Sequence, residues 1–313
     1  MQKNAIAVIG PTGSGKSRLG IALARAFNGE IVGCDALQVY RRMDIGTAKV
    51  TPEERGDVPH HMIDVTDPDC EFSAGDYQRQ ARQSIQEISE RGRLPIVVGG
   101  TGFYLRALID GLFEGPERSE ELRARMRAII QRKGTNILHH FLARVDPQSA
   151  SRIATNDADR IIRACEIYFL SGKNMSWWQS QPRDALTGYR WLKIGIDMPR
   201  ELLYQRINLR VERMFENGLL DETRRLLQIY PAVCPSFKAI GYRQAAEYLA
   251  GQITLTQAVE NTQMESRRYA KRQITWFRAD SEIIWLRVES DPETGALRDN
   301  AIRIVRDFSI SMI

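Results

Sequence analysis

Through the N-terminal third of the chain, unbroken apolar runs alternate with stretches whose apolar positions recur every three or four residues. Ala5 to Ile9 is one such run, closed by Gly10, and reads as a central parallel strand buried on both faces. A glycine-rich turn follows, and then Ser17 to Phe27 carries apolar residues at Leu19, Leu23, Ala26 and Phe27, the spacing of a helix. Glu30 to Cys34 predicts a second strand, ending at Asp35. Ser73-Ala74-Gly75-Asp76 has the form of a capping box, opening a helix that runs to Arg91 and stops at Gly92. Leu94 to Val98 predicts a third buried strand, so the opening order is βαβαβ. Two further short strands, Trp191 to Ile196 and Ile283 to Leu286, can complete the same sheet.

Between Gly115 and about Gly188 the pattern changes: no strand-like run occurs, and Glu120 to Lys133 alternates cations with apolar residues at helical spacing. After Pro199 helices predominate, over Glu201 to Asn217, Leu219 to Tyr230, Tyr242 to Leu249 and Thr256 to Phe277, divided by Gly218, Pro231, Pro235 and Gly251. No repeat of fixed period and no low-complexity stretch interrupts them. The expected fold class is α/β, a parallel-sheet core with an inserted helical subdomain and a helical C-terminal region. Residues 1–115 with about 189–313 would form the core, and about 116–188 the insertion.

Composition narrows the class without changing that picture. The 313 residues are enough for about two domains of roughly 150 residues each. With 43% hydrophobic and 27% charged residues the chain is an ordinary globular one, neither disordered nor a disulfide miniprotein. No apolar run approaches the roughly 20 residues that span a bilayer. Met1-Gln2-Lys3-Asn4 leads straight into the first strand and leaves no room for a signal peptide, so a cytoplasmic protein without membrane contact is expected. Cys34, Cys70, Cys165 and Cys234 stand singly, and the histidines form two adjacent pairs, His60-His61 and His139-His140, whose members point in different directions. Reduced cysteines and no zinc site follow. The formal charge of +5 is compatible with an anionic partner, and its placement decides whether there is one.

Gly10-Pro11-Thr12-Gly13-Ser14-Gly15-Lys16-Ser17 fits the phosphate-binding pattern G-x-x-x-x-G-K-[ST] between a buried strand and a helix, the context this P-loop motif requires. The glycines let backbone N–H groups turn toward phosphate oxygens, the helix N-terminus adds partial positive charge, Lys16 adds a full one, and Ser17 can ligate Mg²⁺. A P-loop reports a diphosphate-containing ligand and not the reaction. A nucleotide hydrolase carries a Walker B Asp at the end of an apolar strand, whereas Leu94 to Val98 runs into Gly99-Gly100-Thr101-Gly102. That argues against ordinary ATP hydrolysis and puts Thr101 at the carboxyl end of the sheet, where open α/β sheets bind ligands.

Asp35 should emerge in the same crevice. Its residue type fits three roles: N-cap of the following segment, Mg²⁺ or acceptor ligand as in small P-loop kinases, or general base. Glu265 to Arg278 holds five cations and one acid interleaved with Tyr269, Trp276 and Phe277. The cations could neutralise nucleic-acid phosphates and the aromatics stack on an unpaired base, or the aromatics could face the core and the arginines water. Arg206, Arg210 and Arg213 form another basic face, and one of them turned toward the crevice would complete a diphosphate clamp.

Taken together, several blocks in order resemble the bacterial tRNA isopentenyltransferase (tRNA dimethylallyltransferase) family. They are the P-loop, Asp35 to Arg41, Asp44 to Lys49, Pro59 to Asp64, Gly99 to Tyr104, Asn156-Asp157 with Arg160 to Ala164, Ala239 to Arg243 and Ala270 to Arg278. The resemblance runs from the first strand to Arg278, leaving about 35 residues without a usable block. It implies transfer of a dimethylallyl group from dimethylallyl diphosphate to N6 of adenosine 37 in tRNAs reading codons that begin with U. It further implies Mg²⁺ as cofactor, with Ser17 as its ligand, and a monomer. Asp35 would be the general base, Thr12 and the loop residues Gly10 to Ser17 (Gly10, Pro11, Gly13, Ser14, Gly15 and Lys16 among them) would hold the diphosphate, and Arg210 would help clamp it. Contacts with tRNA would come from Asp35, Ala36, Leu37, Gln38, Thr101, Arg123, Asp159, Arg160, Ile161, Ile162 and Arg163, with Lys271 and Arg272 on the basic helix. The family more often has Ala or Ser at position 13, a departure of little weight while Gly10 and Gly15 remain. The other reading of P-loop and Asp35 is a small-molecule or nucleoside kinase using ATP.

Overall fold

The computed structural model of the protein describes residues 2–288 and 295–310. Its first strand, β1 (Lys3–Ile9), passes through the P-loop into α1 (Lys16–Ala26) and returns as β2 (Gly29–Cys34). Short α2 (Pro52–Arg55) and β3 (His60–His61) precede α3 (Ala74–Glu90), β4 (Leu94–Gly99) and α4 (Gly102–Ile109). Helices α5 (Glu120–Lys133), α6 (Asn136–Val145), α7 (Pro147–Ala150), α8 (Ala158–Ser171) and α9 (Met175–Ser180) follow. The chain rejoins the sheet at β5 (Tyr189–Asp197), continues through α10 (Arg200–Glu216), α11 (Leu219–Ile229), α12 (Tyr242–Leu249) and α13 (Leu255–Phe277), and adds β6 (Ile283–Arg287) and α14 (Ala296–Ile310).

The five strands expected from apolar runs join one six-stranded parallel sheet of order β3-β2-β4-β1-β5-β6. Alternate residues of each strand serve opposite faces. Ile6, Val8, Ile96 and Val98 enter a core with Leu19 and Leu23 of α1 and Leu203 and Ile207 of α10, while Ala7, Ile9 and Val97 pack with Tyr77, Ile85, Leu105 and Leu108 of α3 and α4. Covering both faces is why these strands are uniformly apolar rather than alternating. The capping box at Ser73 is present: its hydroxyl accepts from Asp76 N at 3.1 Å, and Asp76 Oδ2 accepts from Ser73 N at 2.9 Å.

Strand order positions the site. β4 lies between β2 and β1, so the residues after all three strands (Asp35, Thr101 and the P-loop) emerge side by side. A third apolar cluster, with Val39, Met43, Met214, Leu219 and Tyr242, ties the segment after β2 to α10, α11 and α12.

The chain divides into two compact units, one containing residues up to Ile109 and from Leu186 onward, the other Asp110–Ala185. The change of pattern had suggested about 116 and 188 as boundaries. In the second unit, Met126, Leu138, Leu142, Ile161, Ile162 and Cys165 form the core where α5, α6 and α8 meet. This corrects one expectation: Ile161 and Ile162 are 0% and 1% exposed, so their side chains hold α8 to its neighbours and have no free surface for RNA.

Candidate active site

The P-loop turns with Gly13 and Gly15 at φ of 82° and 88°, left-handed values that glycine adopts without strain. Lys16 Nζ donates to Pro11 O at 3.1 Å, and from α10 Arg206 Nε donates to Gly13 O at 3.1 Å. At the next strand end, Asp35 Oδ1 accepts from Leu37 N at 2.9 Å and Gln38 N at 3.4 Å. The carboxylate therefore caps its own turn with one oxygen while Oδ2 has no hydrogen-bond partner among the described residues. Ala36 N donates to Thr101 Oγ1 at 3.1 Å, which locks this turn to the end of β4.

A cavity of about 300 Å³ brings Thr12, Asp35, Arg210 and Tyr269 together with apolar Leu37, Ile207, Val211 and Met214. A second, of about 530 Å³, is lined by Gly15, Ser17, Arg18 and Arg206, so the loop contributes to both. Of the α10 arginines, Arg210 lines the first cavity, Arg206 touches the loop and Arg213 faces water. Tyr269, whose spacing fitted base stacking or core packing, is half-buried and lines this cavity. Its hydroxyl meets Thr101, and burial, reinforced by Asp35, pushes its phenol up to about 12. Burial likewise raises the Cys34 thiol to about 12, an inert group donating to Thr101 O.

Two cations coupled to Asp35, Arg210 and Lys16, are strained electrostatically. Burial depresses Arg210 below its ordinary value, with Asp35 opposing. It also lowers Lys16 to about 8; Asp35 pulls the value back up and Arg210 pushes it down. An anion needs Lys16 protonated, so affinity for inorganic diphosphate relative to that of Lys16→Arg should be constant below pH about 8 and weaken above it by up to about tenfold per pH unit. Calorimetric titration across that range checks this, with Lys16→Arg, which keeps its charge, reporting the titration of the ligand itself. Parallel profiles for the two proteins would remove Lys16 from the anion site.

The segment from Gln38 to Lys49 forms another side of the site. Gln38 Nε2 donates to the carbonyls of Thr47 and Ala48 at 3.2 and 3.3 Å. Lys49 Nζ, buried, binds Asp44 at 2.8 Å and Asp64 at 2.6 Å. Glu222, on α11 and 5% exposed, accepts from the backbone N–H groups of Asp44, Ile45 and Gly46 and from Tyr242 Oη. Gly46 and Thr47 thereby become cavity wall. Sequence reasoning gave Glu222 no role, and no local motif marks it. Gln273, in the segment Ala270 to Arg278, joins Thr12 N to Gly100 O.

The residues expected to meet tRNA separate by environment. Asp159, Arg160, Lys271 and Arg272 are exposed, and Arg160 makes only a surface pair with Asp157 at 3.4 Å. Arg123 and Arg163 instead bind Glu166, which is 0% exposed: Arg123 Nε and Nη2 at 2.8 and 3.0 Å, Arg163 Nη1 at 2.6 Å. These guanidiniums hold the helical unit together. Among the described residues no three His, Cys, Asp or Glu side chains gather as metal ligands, and no helix is long and apolar enough to cross a membrane.

Comparison with known proteins bears directly on the choice between kinase and prenyltransferase. The family model for IPP transferase matches residues 38–280. A tRNA dimethylallyltransferase of Koribacter versatilis is 51% identical over 299 residues, 96% of this chain and 97% of the relative, and one of Solibacter usitatus is 50% identical over 283 residues, 90% and 92%. Among solved structures, a tRNA isopentenylpyrophosphate transferase of Bacillus halodurans superposes with TM-score 0.72 at 40% identity, covering 99% of this chain and 96% of that one. A eukaryotic dimethylallyltransferase acting on tRNA superposes with TM-score 0.82 at 29% identity, covering 99% and 80%. The kinase reading is dropped. A P-loop sheet lacking a Walker B acid, continuous with relatives of this identity over nearly its whole length, leaves one assignment: the chain belongs to the IPP transferase family, the tRNA dimethylallyltransferases.

Proposed function

We propose that the protein transfers the dimethylallyl group of dimethylallyl diphosphate to N6 of adenosine 37 in tRNAs reading codons that begin with U, as a cytoplasmic monomer. The observation that carries this is the single cavity in which a carboxylate, an arginine and a P-loop residue adjoin an apolar wall. The apolar side chains Leu37, Ile207, Val211 and Met214 suit the branched five-carbon chain. In the transfer, the N6–C1 bond forms as the C1–O bond breaks, and the bonding pair leaves on the diphosphate. The proton shed by N6 passes to Asp35 Oδ2. Loop N–H groups, Lys16 and Arg210 face the charge that develops on the leaving group. An exocyclic adenine amine is a weak nucleophile, and a positioned carboxylate removes its proton as the new bond forms.

Mg²⁺ fits this donor set. The Ser17 hydroxyl has no hydrogen-bond partner among the described residues, and Mg²⁺ is commonly held by few protein ligands plus substrate phosphates and water. When bound it would neutralise part of the diphosphate charge. Ser17 would hold it, with the remaining ligands supplied by diphosphate and water.

Label from dimethylallyl diphosphate should enter unmodified tRNA carrying adenosine 37 and not the same tRNA with another base there; label in neither would overturn the reading. Exposed Arg160 leads to a separate expectation. Arg160→Ala should weaken tRNA binding and reduce the slope of log affinity against log salt by about 0.7 to 0.9, one phosphate contact, with diphosphate affinity unchanged. An unchanged slope would return α8 to a purely structural role.

A further inference from the structure

Helix α13 directs one face, Tyr269, Gln273 and Trp276, toward the carboxyl ends of the central strands. The last paired residues of β1 and β4 are Ile9 and Gly99, and beyond them the ladder stops. There Gln273, 5% exposed, takes over. Its Oε1 accepts from Thr12 N at 2.8 Å and its Nε2 donates to Gly100 O at 2.8 Å. Because one partner is an N–H and the other a carbonyl, the orientation of the carboxamide is fixed by its neighbours. The fit is close: a Cβ on Gly100 would overlap the Gln273 amide, and one on Gly102 the Trp276 indole. Tyr269, one turn earlier, meets Thr101.

Two consequences follow. The Thr12 amide is already committed, as is that of Ser14, which donates to Pro11 O at 3.3 Å, so a bound diphosphate would use the other loop amides and Lys16, leaving Thr12 to present its hydroxyl. The Gln273 carboxamide also connects the loop that holds the donor to the segment carrying Thr101, which in turn holds the Asp35 turn through Ala36 N. We propose that Gln273 is a positioning residue for the transfer step, setting the separation between the leaving-group loop and the Asp35–Thr101 wall so that C1 and N6 meet in reacting geometry. This rests on the reaction proposed above. Gln273 touches neither reactant; it acts through Thr12 and Gly100.

Misplacing reacting groups by about an ångström can cost about 100-fold in rate with little effect on binding. Gln273→Met keeps the volume and removes both hydrogen bonds, while Gln273→Glu keeps the acceptor for Thr12 N and removes the donor to Gly100 O. In single-turnover transfer of labelled dimethylallyl group to tRNA, Gln273→Met should lower kcat by about 10- to 100-fold, with KM for each substrate within about threefold of wild type. Gln273→Glu should fall between the two. If Gln273→Met does not fold, Gln273→Glu carries the test with a loss of at least about fivefold in kcat. A folded variant with unchanged kcat overturns the proposal, as does a loss confined to KM or one matched by a lower fraction of active sites. A wild type that transfers no label overturns the reaction itself, whereas an unimpaired Gln273→Met beside an active wild type overturns only this role.

Discussion

Asp35→Asn is expected to lower kcat for prenyl transfer by about 10²- to 10⁴-fold, the usual contribution of a positioned general base. The substitution is conservative for the fold. Its side-chain oxygen can still accept from Leu37 N and Gln38 N, the two bonds Oδ1 now makes, and Asn caps as well as Asp. The oxygen facing the cavity is replaced by an amide that cannot take the proton from N6. tRNA affinity should change little, because the surrounding turn is kept by Ala36 N on Thr101 Oγ1. A second readout separates electrostatic from chemical loss. Asp35 raises the Lys16 value, so its removal should move Lys16 further below about 8 and shift the pH dependence of diphosphate binding to more acid pH. Rapid-quench transfer assays give the rate and calorimetry the shift. Transfer within tenfold of wild type would assign the proton to another acceptor.

Glu166→Ala should destabilise the helical unit by about 3 kcal/mol, the low end of the cost of breaking a buried ion pair from one side, because the Arg163 side chain is 31% exposed. Glu166 is 0% exposed and accepts from Arg123, Arg163 and the backbone N–H of Ser119, the last at 2.9 Å. Removing it takes the carboxylate from two guanidiniums at once, with Arg163 keeping its bond to Pro116 O at 3.0 Å. Burial acts to raise its carboxyl, but hydrogen bonds from Arg123 and Arg163 outweigh this and hold it below the ordinary carboxylate value. The unfolded chain therefore binds the proton more readily. Stability from this cluster is fully present above the ordinary carboxylate value and is lost as pH falls through the lower folded value. Melting curves from neutral to acid pH should show that loss in the wild type and not in Glu166→Ala. Replacing Arg123, Arg163 and Glu166 together by Met, Met and Leu should recover most of the stability, since apolar substitutes for a buried ionic cluster are often neutral or better. A full loss in the triple variant would mean that packing, not charge, dominates there.

The core was legible because burial on both faces leaves a one-dimensional signature. Ala5 to Ile9, Glu30 to Cys34 and Leu94 to Val98 are strands within a residue or two, and the capping box at Ser73 starts its helix where the pattern put it. Short or late elements were less visible. β3 has only two residues, too few to show a period. α14 buries Leu297, Ala301 and Val305 at i, i+4 and i+8, a helical period that no motif accompanies.

The site divides in the same way. Gly10 to Ser17, Asp35 and Thr101 are legible since each follows directly from a strand, and parallel strands deliver their carboxyl ends to one edge. Arg123 and Arg163, assigned to tRNA by resemblance, both bind Glu166 in the structure. A cation near a basic stretch looks the same in sequence whether it meets a phosphate or a carboxylate, and only packing brings Glu166 between them.

Local sequence determined the strands, the P-loop and the carboxylate at the end of β2, because backbone conformation and two-sided burial are set by near neighbours. Tertiary structure alone decided that Glu222, Tyr269 and Gln273 join Asp35 and the P-loop, 187 or more residues beyond Asp35. Hydrogen-bond partners and desolvation depend on distances in space, and no spacing along the chain encodes them.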